Sequence, residues 1–138
     1  MKSITIIAAI LLGSIPAFAQ EAPKPTIDKP HYAVTVTPPK GAVGEVVAKI
    51  HLVPKAGFKM NKAYPTKVRL AAPAGVKLKK ALLKKADATS FTESEASFAV
   101  AYTCESAGDV KADVSFSVCN AQTCELHKET VTWTAATP

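Results

Sequence analysis

The 138-residue sequence lacks the short motifs that mark hydrolases and nucleotide-binding enzymes. No G-x-S-x-G, H-E-x-x-H, phosphate-binding P-loop or glycine-rich dinucleotide pattern occurs in it. It also contains no internal repeat and no low-complexity tract. Hydrolytic and nucleotide chemistry therefore have no support in the sequence, and a chemical function has to come from other residues.

Arginine is almost absent, because Arg69 is the single arginine among 17 basic side chains. The formal net charge is +6, and such a balance can indicate binding to nucleic acid or to an anionic surface. An exported protein rarely meets nucleic acid, however, and the N terminus predicts export. The lysines are therefore interpreted mainly as a solvated face, and no nucleic-acid partner is expected.

Long hydrophobic runs are absent except at the N terminus. Lys2 is followed by an apolar run over residues 4–15 and by an A-x-A site at residues 17–19. This order is typical of a secretory signal peptide, and the run is shorter than the roughly 20 residues that cross a bilayer. We predict a signal peptide over residues 1–19, cleavage after Ala19, and a periplasmic or secreted mature protein without a membrane span. A buried N-terminal helix is the alternative.

The mature chain is predicted to begin with a linker. Residues 20–30 contain three prolines among polar side chains, a composition typical of an extended lead-in. The remaining residues, 31–138, are enough for one domain with a core of its own.

Beyond residue 30, apolar and polar side chains alternate in seven short stretches, at 32–37, 47–52, 68–70, 76–78, 98–102, 110–118 and 130–134. Period-two alternation places one set of side chains on a buried face and the other in water. We predict an all-β fold, an immunoglobulin-like antiparallel β-sandwich of about seven strands. A closed barrel is the alternative. Trp133 falls on the apolar phase and is expected in the core.

Turn residues separate these stretches. Gly108 and its neighbours are expected to join the stretches 98–102 and 110–118 in a hairpin. Residues 81–88 are the one candidate for a helical turn. The surrounding lysines predict an exposed edge strand protected from further pairing, and the alternative is a docking patch for an acidic partner. These lysines are Lys77, Lys79, Lys80, Lys84 and Lys85.

The chain has three cysteines, so one remains unpaired if the other two form a disulfide. Cys104 lies in phase with Phe98 and Val100, and is therefore expected to be a buried, inert thiol. In the predicted hairpin it lies near the turn, beyond bridging distance of Cys119.

Cys119 and Cys124 follow the longest alternating stretch, and the four residues between them suit a turn. In an oxidising compartment such a pair can close a small disulfide ring. As a staple, so small a ring contributes about 2 kcal/mol, against about 3 kcal/mol for a 15-residue loop. A pair on a loop is also easy for a partner's thiolate to reach. The residues alone leave a structural staple and a redox-active dithiol both open.

A metal site is a third interpretation of the cysteines. Cys119, Cys124 and His127 form a C-x4-C-x2-H pattern, and Met60 and two further histidines lie elsewhere. Soft ligands of this kind suit Cu(I) or Zn. The spacing is not a standard zinc pattern, so no metal and no other cofactor is predicted.

The segment AGDVKADVSFSVCNAQTCE, residues 107–125, resembles the N-terminal periplasmic domain of the DsbD family of thiol:disulfide interchange proteins. In that family a strand ending in an aromatic residue leads to a cysteine, a short polar turn and a second cysteine. Residues 54–61, PKAGFKMN, are similar to the family's Gly-aromatic-x-x-Asn segment. The best-known members have one residue more between the cysteines than this chain has.

The resemblance covers residues 32–133 and implies an immunoglobulin-type domain that exchanges a disulfide with the thiols of a partner protein. Cys119 and Cys124 are then the catalytic pair, and residues 58–65 cover it. His127 and Lys128 favour a thiolate at Cys124, whereas Glu125 opposes it. Cys124 is expected to react with the partner and Cys119, at the end of a strand, to resolve the mixed disulfide.

The prediction is therefore a periplasmic electron-relay domain, a thiol:disulfide oxidoreductase that passes electrons to or from a partner protein. The alternative is a non-enzymatic periplasmic binding or accessory module with a structural disulfide.

Overall fold

The computed structural model describes residues 26–39 and 44–135, and most of them lie in β-strands. The described part contains no α-helix and one 3-10 turn, Lys85–Asp87. No helix in it is long and apolar enough to cross a membrane. The strands are β1 (Ile27–Asp28), β2 (Tyr32–Thr37), β3 (Gly44–Pro54), β4 (Lys59–Met60), β5 (Lys67–Ala71), β6 (Val76–Leu78), β7 (Leu82–Lys84), β8 (Ser90–Phe91), β9 (Ala96–Cys104), β10 (Asp109–Cys119) and β11 (Cys124–Thr134).

The strands form two antiparallel sheets that pack as a sandwich. Sheet 1 has the order β1-β2-β3-β9-β6, with β8 also paired to β9. Sheet 2 has the order β11-β10-β5-β7, with β4 also paired to β10. The predicted immunoglobulin-like β-sandwich is confirmed. Since the described sheets share no strand, they do not form the closed barrel that was the alternative.

Alternation along the strands builds the core between the sheets. On β10 the inward side chains, from Val110 to Val118 at every second position, are all fully buried. Phe98 of sheet 1 and Phe116 of sheet 2 are the largest side chains with no exposed surface. Trp133 is buried, as predicted, and its indole N–H donates to the hydroxyl of Tyr102 at 3.2 Å.

The predicted hairpin around Gly108 is wrong. β9 pairs with β3 on one side and with β6 and β8 on the other, so no edge of it is left for β10. The turn instead carries the chain from sheet 1 to sheet 2. The carbonyl of Gly108 accepts a hydrogen bond from the amide of Ala135 at 2.8 Å, which ties this crossing to the end of β11. Turn residues predict where the chain changes direction, but they do not predict which strands then pair with each other.

Two shorter segments also differ from expectation. β1 lies within the predicted linker, residues 20–30, and pairs with β2, so the folded part includes residues before 31. Residues 81–88 form β7 and the 3-10 turn rather than a helical turn alone. The predicted signal peptide, residues 1–19, lies outside the described residues.

The predicted lysine-rich edge corresponds to two edges. Lys77 lies on β6, the last strand of sheet 1, and Lys84 lies on β7, the last strand of sheet 2. Their position agrees with the interpretation that lysines protect exposed strand edges.

Candidate functional site: the disulfide at the end of the β10–β11 hairpin

The disulfide closes one end of a long hairpin. β10 and β11 pair continuously from Asp109 opposite Thr134 to Cys119 opposite Cys124. Cys119 and Cys124 are therefore direct cross-strand neighbours, with Cα atoms 4.0 Å apart, and they form a disulfide. A disulfide fits an extracytoplasmic protein, because such compartments are oxidising.

The loop between the cysteines is held by its own hydrogen bonds. The side-chain oxygen of Asn120 accepts from the amides of Gln122 and Thr123 at 2.9 and 2.7 Å. The amide of Asn120 donates to the carbonyl of Thr123 at 2.9 Å. This is the behaviour of asparagine in tight turns, and it orders the loop independently of the sulfur atoms.

The two cysteines differ in exposure. Cys119 is half-buried, and β10 is flanked there by β11 on one side and by Lys59 of β4 on the other. Cys124 is exposed, and its strand pairs only with β10 among the described strands. Because Val118 points into the core, the next residue, Cys119, lies on the outer face of sheet 2. The disulfide therefore faces solvent, and Cys124 is the more exposed of its two residues.

A cleft of about 460 Å³ adjoins the disulfide on the side of β4. Its lining includes Lys59, Asn61, Glu93, Cys119 and Ala121. A molecule in this cleft can reach the Cys119 side of the disulfide without entering the core.

Residues 58–65, expected to cover the disulfide, run beside it. Lys59 is the residue paired with Cys119. Phe58 and Met60 alternate with Lys59, so they lie on the other face: Phe58 stacks on the ring of His31 at 4.0 Å, and Met60 is buried in the core. Phe58 thus packs beneath the hairpin end instead of shielding the sulfur atoms from outside.

A cluster of polar side chains lies behind the disulfide, on the inner side of β11. One oxygen of Glu125 accepts hydrogen bonds from Nδ1 of His31 at 2.9 Å and from Nε2 of His127 at 3.1 Å. The bond from His31 is the largest cause that lowers the pKa of Glu125 from its ordinary value of 4.5; the bond from His127 acts in the same direction, and desolvation opposes both. The residue next to Cys124 is therefore anchored to the start of β2.

Tyr32 completes the inner cluster. Its hydroxyl donates to Glu129, and its ring contacts Phe116 edge-on at 4.9 Å and His127 at 4.4 Å. Burial raises the pKa of Tyr32, and the hydrogen bond and charge of Glu129 raise it further. The phenol therefore stays neutral and acts as a donor that joins β2 to β11.

Sequence reasoning did not assemble this inner cluster. His31 and Glu125 are 94 positions apart, and only the packing of sheet 1 on sheet 2 brings them together. The one usable signal was the period-two position of Glu125, His127 and Glu129, which places these polar side chains on the core-facing side of β11.

Cys104 is buried, as predicted, and it takes no part in the disulfide. Its thiol donates to the carbonyl of Ser106 at 3.2 Å. It belongs to β9 of sheet 1, whereas Cys119 ends β10 of sheet 2.

The C-x4-C-x2-H pattern does not assemble into a ligand set. Cys119 and Cys124 are joined to each other, and His127 points to the inner face, where it bonds Glu125. Within residues 26–39 and 44–135 no group of three or more histidine, cysteine, aspartate or glutamate side chains is placed to hold a metal ion.

Comparisons with known proteins add little to this geometry. No protein-family model matches the chain, and no curated protein matches it. Among solved structures the chain is similar to AggA of Escherichia coli, the major subunit of aggregative adherence fimbriae type I. The identity is 13%, the match covers 75% of this chain and 93% of that chain, and the TM-score is 0.34. A similarity this low supports no conclusion about this chain. The resemblance to the DsbD N-terminal domain stays a prediction.

Proposed function

We propose that the protein is a periplasmic thiol:disulfide exchange domain of the DsbD N-terminal type. It passes electrons to or from a partner protein through Cys119 and Cys124. The observation that carries the proposal is the placement of the disulfide: it lies on a solvent-facing surface at a hairpin end, with Cys124 exposed. A partner's thiolate reaches such a bond without any opening of the fold.

The hairpin needs little stabilisation from the disulfide, and this supports the proposal. The hairpin is already held by a continuous ladder and by the Asn120 hydrogen bonds. The ring closed by residues only five positions apart contributes about 2 kcal/mol in the chain-entropy estimate. It joins neighbouring strands of one sheet, whereas the intersheet bridge of immunoglobulin domains joins the two layers. The fold therefore does not depend on this bond in the way that immunoglobulin domains depend on theirs.

The exchange step is a displacement at sulfur. A partner thiolate attacks Sγ of Cys124 and forms a mixed disulfide, while Cys119 leaves as a thiolate. A second partner thiolate then attacks the partner's sulfur in the mixed disulfide and releases Cys124 as a thiolate. The partner dithiol is oxidised to a disulfide, and the Cys119–Cys124 pair gains two electrons. Transfer to a partner disulfide follows the same steps in reverse, with Cys119 resolving the mixed disulfide.

Lys59 supports the assignment of Cys119 as the leaving group. It lies in the same cross-strand row as Cys119, and its ammonium group is 3.3 Å from Glu93 on the exposed surface. A neighbouring cation stabilises a thiolate, and a more stable thiolate leaves faster; the carboxylate of Glu93 offsets part of this effect. Glu125, the residue expected to oppose a thiolate at Cys124, points to the inner face and is bonded there to two histidines.

The alternative function is a binding or accessory module with a structural disulfide. The observation that favours it is the half-buried position of Cys119 between β4 and β11, where its backbone is part of a regular ladder on both sides. A structural disulfide resists reduction, and the two functions therefore separate in one measurement.

The decisive experiment combines a reduction potential with trapping, in a Cys104→Ala background that removes the third thiol. The potential of the Cys119–Cys124 pair is expected above about −300 mV, the upper limit typical of structural disulfides. Cys119→Ser should trap a partner through Cys124 as a reducible high-mass band in periplasmic extract, and the matched variant Cys124→Ser should trap little. A potential below about −300 mV, together with no trapping by either variant, establishes the accessory module instead.

A further inference from the structure

The outer face of sheet 2 carries a row of lysines close to the disulfide. Lys84 of β7 is directly opposite Lys67 of β5, Lys67 is opposite Ser115 of β10, and Ser115 is opposite Lys128 of β11. Side chains directly opposite in an antiparallel sheet point to the same face. The register therefore lines up positive charges on β7, β5 and β11, with the small buried Ser115 of β10 between Lys67 and Lys128.

Within the described part of the chain, Asp113 is the one acidic side chain that lines the cavity beside this row, so its positive charge is only partly compensated. Lys67, Lys128 and the adjacent Arg69 form no ion pair there, whereas Lys55, Lys59, Lys77 and Lys80 each pair with a carboxylate. Asp113, directly opposite Arg69, accepts a hydrogen bond from Thr130 at 2.7 Å instead. Like charges opposite each other destabilise a sheet, and Lys67 and Lys84 form such a pair, so a bound anion would relieve the repulsion between them.

Edge protection does not explain Lys67. Lysines protect strands whose backbone edge is open, but β5 lies between β10 and β7 in the interior of sheet 2. A cavity of about 230 Å³ lies where these side chains meet, lined by Lys67, Arg69, Asp113, Ser115, Lys128 and Thr130.

An exposed leucine connects the lysine row with the disulfide. Along β11 the outward residues are Cys124, Leu126 and Lys128, spaced by about 7 Å at the usual rise of a strand. Leu126 is 68% exposed and is one of two large hydrophobic side chains left exposed in the described residues. An exposed half-cystine, an exposed leucine and a basic row therefore follow one another on a single face.

We propose that this face docks the partner, and that the partner is a protein with a cysteine flanked by acidic residues. The acidic side chains bind Lys67, Lys128 and Arg69, an apolar side chain packs on Leu126, and the partner's sulfur meets Cys124. The inference rests on the proposed exchange function. Opposite charges across an interface raise the association rate and fix the orientation of the partner, which exchange at a single exposed sulfur requires.

The test uses synthetic peptides of equal length with one central cysteine, flanked either by glutamates or by lysines. The rate constant for reduction of the Cys119–Cys124 disulfide is measured for each peptide at low and at high salt. At low salt the acidic peptide is expected to reduce the disulfide about 10-fold or more faster than the lysine peptide. The ratio of the two rate constants should fall at high salt, because salt screens the charges. Equal rates for the two peptides overturn the proposal.

The variant Lys67→Glu/Lys128→Glu should abolish or invert the preference for the acidic peptide. Its matched control is Lys49→Glu/Lys79→Glu, which makes the same change in net charge on exposed residues of sheet 1 or adjoining it. The control should keep the preference. An equal loss in both double variants means that only the net charge acts, and it overturns the proposal. Lys67→Glu places a carboxylate opposite Lys84, so this variant is expected to fold.

Peptides with serine in place of cysteine separate docking from exchange. Binding of a fluorescent acidic serine peptide, weakened by Lys67→Glu/Lys128→Glu and by Leu126→Ser, supports the docking face even if the disulfide resists every thiol. In that case the exchange function fails and the docking surface stands. Reduction by both thiol peptides at one rate, without binding of the serine peptide, keeps exchange and removes the docking surface.

Discussion

Glu125 shows how single side chains connect the disulfide to the rest of the fold. It follows the exposed Cys124, yet its carboxylate turns inward and accepts hydrogen bonds from His31 and His127. His31 in turn stacks on Phe58, next to the residue paired with Cys119. The start of β2, the β4 segment and the hairpin end therefore meet at one carboxylate.

Replacement of Glu125 by glutamine should change how stability depends on pH. The pKa of Glu125 is lowered in the folded state, so its contribution is fully present above the ordinary value of 4.5 and is lost as the pH falls through the folded-state pKa. The wild type should therefore be more stable than Glu125→Gln at pH 6, and the difference should shrink in stronger acid. Urea unfolding at a series of pH values measures this difference in stability.

Glu105→Gln, on the exposed surface 3.8 Å from Lys77, is the control. A difference that is constant with pH contradicts the role given to the two histidines.

Prediction from the sequence worked for residues whose position depends on local alternation. Cys104 and Trp133 were assigned to the core from their phase alone, and both are buried. The pairing of His31 with Glu125 was not predictable, because it depends on how two sheets pack and not on any spacing along the chain.

At the scale of strands, the seven alternating stretches correspond to β2, β3, β5, β6, β9, β10 and β11. The strands that were missed have two or three residues, too few for a period to be visible. The β9–β10 connection was assigned to the wrong neighbour, because the same turn residues serve a hairpin and a crossing between sheets. β4, which flanks Cys119, belongs to the missed group, so the surroundings of the site were the least predictable part.

Gly75 lies in the turn that connects β5 of sheet 2 to β6 of sheet 1, and its replacement tests how much this connection contributes to stability. Its φ is +88°, and a Cβ added there would collide with Oγ of Ser106. Gly75→Ala should lower the free energy of unfolding by about 1–3 kcal/mol. Gly57 has the same φ with nothing within 4 Å of an added Cβ, so Gly57→Ala measures the backbone strain alone. Guanidinium unfolding of both variants gives the difference, and Ser106→Ala should restore part of it. Equal losses at both glycines would show that the collision is relieved at no cost.

At the scale of the whole molecule, the core and the disulfide are separate. The largest buried side chains fill the space between the sheets, while the disulfide lies at one end on the outer face. The composition and the alternation were sufficient to predict one β-sandwich, since both depend on average properties of the chain. They do not determine whether a particular disulfide is stable or labile, because that depends on exposure and on neighbouring charges.

Removal of the disulfide should leave the fold intact. The double variant Cys119→Ser/Cys124→Ser is expected to lose about 2 kcal/mol or less of unfolding free energy, with an unchanged circular dichroism spectrum. Trp133→Ala, which empties a buried site and removes the hydrogen bond to Tyr102, should cost more, about 3–5 kcal/mol. If the double variant no longer unfolds cooperatively, the disulfide is a structural staple.

The short span between the paired cysteines also governs how the protein matures. Cys119 and Cys124 are five positions apart in one hairpin, and isolated hairpins form within about 1–10 μs. Cys104 is a competing thiol, but closing the loop from Cys104 to Cys119 costs about 1 kcal/mol more entropy than closing the shorter one. Under oxidising conditions, loop closure therefore favours the native pair over a Cys104–Cys119 pair even before the sheets have assembled. The third thiol is withdrawn from the competition once β9 is enclosed, because Cys104 is buried in the folded domain.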